Sequence, residues 1–127
     1  MNGNILNDFF NILAGGGLSY PISYPNVKFT PPNDGIWLEV RHFPNENIDD
    51  SLSSQQVIKQ GLFQVSIMGR QNTGLIAIDT AAQEVAALFP KLTELGESRV
   101  SKVPYTSSVL DWDNGKVEQP LTIPYGG

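Results

Sequence analysis

The sequence lacks cysteine altogether, and His42 is the only histidine among its 127 residues. Without cysteine the chain has no disulfide framework, no thiolate zinc site and no thiol nucleophile. Positive charge is also scarce: eight Lys and Arg stand against thirteen Asp and Glu, a formal net charge of −5. Binding to DNA or RNA depends on cationic side chains that displace counterions from phosphates. This acidic composition therefore predicts no binding to nucleic acid.

Long apolar runs are missing as well, since none approaches the roughly 20 residues that a membrane-spanning helix needs. Residues 1–14 have no basic n-region, and asparagine and aspartate interrupt their apolar positions, so we expect no secretory signal. A length of 127 residues suits one domain with its own core. We therefore expect a single soluble domain over residues 1–127, made in the cytoplasm and not bound to a membrane.

Two segments have the periodicity of amphipathic helices. The first covers residues 4–14 and is ended by the three glycines at 15–17. The second runs from about Gly74 to Phe89 and stops before Pro90. Their expected buried residues are Ile5, Phe9, Ile12 and Leu13 in the first, and Leu75, Ile78, Ala82, Val85, Ala86 and Phe89 in the second.

Alternating apolar and polar residues predict strands in much of the remaining chain. The clearest lies at 61–68, where Phe63, Val65 and Ile67 alternate with polar neighbours. The other strands are expected at 37–43, 99–103, 107–110 and 117–125. The order helix, strands, helix, strands predicts an α+β fold, with a small mixed, mostly antiparallel sheet flanked by two helices.

The last predicted strand, 117–125, follows the turn signal Asp113-Asn114-Gly115, which is typical of a hairpin. Pro120 and Pro124 fall on alternate positions of this strand. Because proline has no N–H to donate to a neighbouring strand, we expect residues 117–125 to lie at an edge of the sheet, with one side unpaired.

Residues 44–60 are polar, show no sustained period and contain many turn-forming or charged residues. This pattern predicts a long exposed loop. A loop of that length in a compact domain is usually functional or disordered.

No pattern in the sequence predicts a catalytic, metal or cofactor site. His42 ends a strand before a proline without a G-x-S-x-G motif, so a structural histidine is the simpler interpretation. Glu46, Asp49 and Asp50 lie in the polar loop, where carboxylates are solvated and lack the fixed geometry of acid–base catalysis. Residues 111–115 begin like a calcium loop but lack its ligand pattern, which favours the hairpin turn.

Three groups of motifs, in this order along the chain, resemble the tail terminator (tail completion) proteins of long-tailed bacteriophages. The ordered set extends from about Tyr24 to Tyr125. The motifs are Tyr24-Pro25-Asn26-Val27, Phe29-Thr30-Pro31-Pro32 and Trp37-Leu38-Glu39-Val40; then 61–67 and Ala86-Ala87-Leu88-Phe89-Pro90; then 103–108 and 119–125. Asn114, Gly115 and Lys116 lengthen one turn relative to the family pattern.

This resemblance implies a small mixed sheet flanked by helices and a structural role without an active site or cofactor. Copies of the chain would form a ring, with six as the expected number, on the end of a finished tail tube. The ring would stop tube polymerisation and prepare head–tail joining. The implied partners are the tail tube protein and a head–tail connector protein, and DNA would pass through without specific binding. The implied location is the virion tail, with assembly in the host bacterial cytoplasm, from a phage or prophage.

A ring made from one chain needs head-to-tail contacts that close. The predicted edge strand 117–125 and the loop 44–60 suit such contacts, and the loop is expected to order against the tube or a neighbouring subunit. The net charge of −5 further predicts excess Asp and Glu around the lumen. The expected interface residues are Asn45, Glu46, Asp49, Asp50, Gln55 and Gln56, together with Trp37, Arg41 and Tyr125.

Other functions stay open at this point. A neck or head-completion protein is close to the favoured function and hard to separate from it by sequence. A small hydrolase that uses His42 with an acidic residue belongs to a different class. A third alternative is a ligand-binding domain with a pocket beside the sheet.

Overall fold

The structure, a computed structural model, describes residues 5–32, 35–45, 60–70, 73–96, 98–111 and 115–126, with Asn45 described by its backbone alone. It confirms the predicted α+β class, with two helices and a curled, mostly antiparallel mixed sheet. The elements are α1 (Ile5–Ala14), β1 (Ile22–Ser23), β2 (Trp37–Asn45), β3 (Gln60–Arg70), α2 (Leu75–Ala86), β4 (Glu94–Leu95), β5 (Ser98–Val100), β6 (Tyr105–Thr106), β7 (Leu110–Asp111) and β8 (Lys116–Gly126).

Strands β2, β3 and β8 form the continuous centre of the sheet, and the order across it is β1-β2-β3-β8-β5-β4. Strand β1 runs parallel to β2, and all other pairs are antiparallel. Strands β6 and β7 also pair with β8, on the side away from β3. Because side chains alternate along a strand, the apolar residues of these central strands collect on the face that the helices cover.

Strand β8 lies inside the sheet, so the prediction that it forms an edge was wrong. The carbonyl oxygens of Pro120 and Pro124 accept hydrogen bonds from the backbone N–H groups of Ser107 and Ser101, both at 2.9 Å. The backbone nitrogen and oxygen of one residue point to the same side of an antiparallel strand. The position where each proline lacks an N–H therefore lies on the side of β8 that pairs with the short strands β5, β6 and β7. The hydrogen bonds between β8 and β3 are not affected.

The core contains an aromatic stack that joins both helical regions to the sheet. Phe9 of α1 stacks on Phe63 of β3, with ring centroids 3.8 Å apart, and on Phe89 after α2, with centroids 4.6 Å apart. All three rings are fully buried. The predicted role of Phe9 and Phe63 as core residues is confirmed, and the Phe9 ring packs α1 against the sheet together with the equally buried Leu13.

Most residues of α2 that were expected to be buried are buried, among them Ile78, Ala82 and Val85. Leu75 was predicted to be buried but is 65% exposed, and Ala81 is buried instead. The helix ends at Ala86, earlier than expected. Leu75 is its first residue, where the helix has not yet met the sheet. Neither helix described by the structure is long and apolar enough to span a membrane.

The ends of the predicted loop 44–60 belong to strands, since Pro44 and Asn45 pair with Gly61 and Gln60. Residues 46–59, which carry the rest of that prediction, lie outside the described residues. In the C-terminal region the strands are shorter than expected: Ser98–Val100 replaces 99–103, and Leu110–Asp111 lies at the end of 107–110. Strand β6 was not predicted.

Candidate interaction surfaces

Two of the predicted interface residues, Trp37 and Tyr125, are buried within the chain. The indole N–H of Trp37 donates to the Glu39 carboxylate at 3.0 Å, and the guanidinium carbon of Arg70 lies 5.0 Å from the centre of the ring. The Tyr125 hydroxyl lies 2.7 Å from the Nε2 of His42. Burial leaves both rings without surface for a partner, which corrects the expectation for these two residues.

The remaining predicted interface residues fall into two groups. Glu46, Asp49, Asp50, Gln55 and Gln56 lie outside the described residues, so their part in an interface stays a prediction. Asn45 is the last residue of β2, and only its backbone is described. Arg41 is the one member whose side chain the structure places at the surface, about half exposed.

Arg41 belongs to a polar network on the sheet face opposite the helices. Its guanidinium lies 3.4 Å from the carboxylates of both Glu39 and Glu118. Glu118 is buried and also accepts a hydrogen bond from the hydroxyl of buried Ser66. A buried carboxylate is tolerated when charge-assisted hydrogen bonds satisfy it. The network fixes the guanidinium at the surface near the outer edge of β2.

Sequence reasoning singled out Arg41 and missed the residues that hold it. Glu118 is 77 positions away along the chain, and Ser66 is 25 positions away. Strand alternation places polar residues on this face but gives no register between strands. No signal in one sequence could have joined these three residues.

The open edge of the sheet is formed by β2, in place of the edge predicted at β8. Strand β1 pairs only with Leu38 and Glu39, and from Val40 onward no described strand lies on that side. The N–H of Leu38 donates to Pro21 in this direction, so the backbone groups of Val40 and His42 point the same way. Unpaired backbone groups at an edge can pair with another chain.

Phe43 lies near this open edge and is 47% exposed. It is one of the large apolar side chains at the surface, and strand alternation places it on the same face as Arg41, opposite the helices. An isolated exposed apolar residue is ordinary. Here it stands beside a strand edge and an ordered cation, which together form a surface suited to a protein partner.

A groove of about 380 Å³ lies beside β8, between α2 and the segment 104–106, which includes β6. Helix α2 contributes Asp79, Ala82, Gln83 and Ala86, and Tyr105 lies on the opposite wall. Among the lining residues, Tyr105 is a large side chain that is 51% exposed. Leu75 and Ile76, which are 65% and 85% exposed, are the first two residues of α2, and the exposed Val103 comes directly before Pro104 of the groove. An open groove with partly apolar walls suits a side chain of another polypeptide better than an enclosed small molecule.

His42 is packed as a structural residue. Its ring stacks on Phe63, with centroids 4.4 Å apart, and its Nε2 is hydrogen-bonded to Tyr125. Burial lowers the pKa of His42, which favours the neutral ring. In the part of the chain that the structure describes, no group of three or more side chains that could hold a metal ion occurs.

An open strand edge, a surface arginine held by carboxylates and a partly apolar groove are features that suit contacts with other proteins. The chain belongs to the phage tail terminator protein family, whose model matches residues 12–125. It is therefore a structural component of a phage tail, and the predicted resemblance is confirmed.

One solved structure is similar to this chain with a TM-score of 0.75. The match covers 96% of this chain and 92% of the other chain. Its sequence is 22% identical, so the likeness speaks for the fold alone. The name of that protein states neither an activity nor a partner. Among curated proteins, none matches the chain.

Proposed function

We propose that this tail protein forms a ring on the end of the finished tail tube, where it ends polymerisation and prepares head–tail joining. The observation that carries the proposal is the family match, which extends over residues 12–125, nearly the whole chain. The proposed partners are further copies of the chain, the tail tube protein and a head–tail connector protein. The expected ring has six subunits.

A ring of identical chains needs two different surfaces on each copy, one at each side. The sheet offers such a pair, because β3 and β8 separate the open edge of β2 from the groove beside α2 and β6. Contacts of this kind repeat from copy to copy until rotation closes them. This arrangement supports the ring without fixing the number of subunits.

DNA would pass through the ring during assembly and ejection. The net charge of −5 supports a lumen with excess Asp and Glu, along which DNA slides without sticking. A reconstruction of the ring that shows Lys or Arg lining the hole would contradict this part of the proposal.

The direct test is electron microscopy of the protein mixed with tail tubes. We expect a disc of density at one end of each tube and no further growth when free tube protein is added. Tubes that keep growing, with bare ends, would contradict the proposal. Density on the head in place of the tube would support the neck or head-completion alternative instead.

The segment 46–56 offers a second test of the same function. Its length and polar composition motivate the hypothesis that it orders against the tube or a neighbouring subunit. Deleting residues 46–56 should abolish capping while the thermal unfolding of the free protein stays cooperative. A matched variant with Glu46, Asp49 and Asp50 changed to Gln, Asn and Asn keeps the length and shows whether charge matters. Unchanged capping by the deletion variant would contradict the hypothesis.

A further inference from the structure

We propose that Phe43 of one copy enters the groove between α2 and β6 of the next copy, a contact that deepens the proposed ring and rests on it. Phe43 is a large, half-exposed apolar side chain at one edge of the sheet. The groove, which the exposed ring of Tyr105 lines, lies beside β6, on the side of β8 away from β3. Each copy therefore carries one insertion residue and one receiving groove.

The topology prevents the two surfaces from satisfying each other within one chain. Strands β3 and β8 separate β2 from β6, a span of about 14 Å at the usual strand spacing. Leu121 lines the groove and belongs to the core, so the groove opens on the helix face of the sheet. Phe43 points from the opposite face. One copy must overlap the next for the residue to reach the groove, and such a contact is heterologous.

The chemistry of the two surfaces is complementary. An aromatic side chain buries a large apolar area in a small footprint, and such residues are frequent anchors of interfaces. The groove is lined by Ala82, Ala86, Pro104 and Tyr105, and Tyr105 is 51% exposed in the single chain. Insertion of the ring would remove apolar surface on both sides from water.

Charge complementarity favours a second copy as the occupant. Arg41 lies two residues before Phe43 on the same strand face, about 7 Å away. Its guanidinium is held at the surface by Glu39 and Glu118. The receiving groove carries the carboxylate of Asp79, whose described partner is the amide of Gln83 at 2.7 Å. Opposite charges beside the inserted ring would fix the register of the contact.

Photo-crosslinking tests the contact on the free protein. A benzophenone-bearing phenylalanine analogue at position 43 keeps an aromatic group at the site. Irradiation is done at about 1 mM protein, where even a contact with a Kd of that order is substantially occupied. We expect crosslinks between copies that map to residues 79–86 or 103–106. Crosslinks confined to other segments, or none between copies, would overturn the proposal.

Complementary variants test whether the contact is head-to-tail. Phe43→Asp removes the insertion residue and Tyr105→Asp blocks the groove, and both positions are exposed, so the fold should persist. In sedimentation at the same concentration, each variant alone should lose association by at least tenfold. An equimolar mixture should form 1:1 pairs, because each partner supplies the surface that the other lacks. Val27→Asp, at another exposed apolar position, is the matched control and should behave as the parent chain.

The outcomes separate this contact from the proposed function. Copies that crosslink as described but fail to cap tubes would leave the contact standing and remove the capping role. Undiminished capping by Phe43→Asp would overturn the contact and leave the capping role intact. A mixture that forms no pairs would also overturn it. When the irradiation is repeated with tail tubes present, crosslinks from position 43 only to tube protein would overturn it too and would make the tube the occupant.

Discussion

His42 and Tyr125 meet across an intervening strand: the Nε2 of His42 lies 2.7 Å from the tyrosine hydroxyl, although β3 runs between their strands. Gly61 of β3 makes this contact possible. A Cβ built at that position would lie 2.8 Å from the hydroxyl oxygen of Tyr125. The only histidine of the chain is therefore used to join β2 to β8 over a glycine.

The packing of His42 predicts a pH dependence of stability. Burial lowers its pKa below the ordinary 6.5, so the unfolded chain binds a proton more readily than the folded one. The stabilising contribution is thus fully present above about pH 6.5 and is lost as the pH falls through the lowered pKa. We expect His42→Gln to show a flatter dependence than the parent chain in urea unfolding between about pH 5 and 8.

Carboxylates also titrate in the acidic part of that range, so the difference between parent and variant is the quantity to compare. Because the chain has a single histidine, NMR of one imidazole signal gives its pKa directly. A folded-state value at or above 6.5 would contradict the prediction.

Gly61→Ala should destabilise the fold. Its new Cβ would lie 2.6 Å from the carbonyl oxygen of Phe43, a backbone atom that cannot move aside without disturbing β2. We expect a loss of about 1–3 kcal/mol in the free energy of unfolding, the usual range for overpacking. Gly69→Ala is the matched control in the same strand, since its nearest atom would be 3.3 Å away. Equal losses in the two variants would contradict this account.

Phe9→Ala should be among the most damaging single changes in α1. Phe9 is fully buried between the rings of Phe63 and Phe89, so its removal leaves a cavity at the joint of helix and sheet. The expected loss is about 3–5 kcal/mol in chemical denaturation. Phe10→Ala, on the same helix but only partly buried, should cost clearly less. A smaller loss for Phe9 than for Phe10 would show that the stack does not hold α1 in place.

Leu92→Gly should stabilise the free protein. Leu92 has a φ of 78° and is 61% exposed, while its N–H donates to the carbonyl of Val100 at 2.8 Å. A side chain with a Cβ pays about 1–2 kcal/mol in this left-handed conformation, and glycine does not. We expect a gain of about 1 kcal/mol in the free energy of unfolding. Leu92→Ala keeps the Cβ and should give no such gain; a gain of the same size would argue against the strain.

The sequence by itself determined the elements whose signal is local. Helix α1 and strand β3 were predicted to within a residue or two, because helical and strand periods depend only on neighbours along the chain. The α+β class followed from the order of these elements. The family resemblance also came from the sequence, since it rests on short motifs in a fixed order.

Tertiary structure alone decided which strand forms the edge and which surfaces remain for partners. The prolines of β8 correctly indicated that one side of this strand lacks N–H groups. The sequence could not show that this side pairs with the short strands β5, β6 and β7. Likewise Trp37 became buried and Arg41 gained its carboxylates only when the register between β2, β3 and β8 was set. Register depends on packing between segments far apart along the chain, and a period of two within one strand carries no information about it.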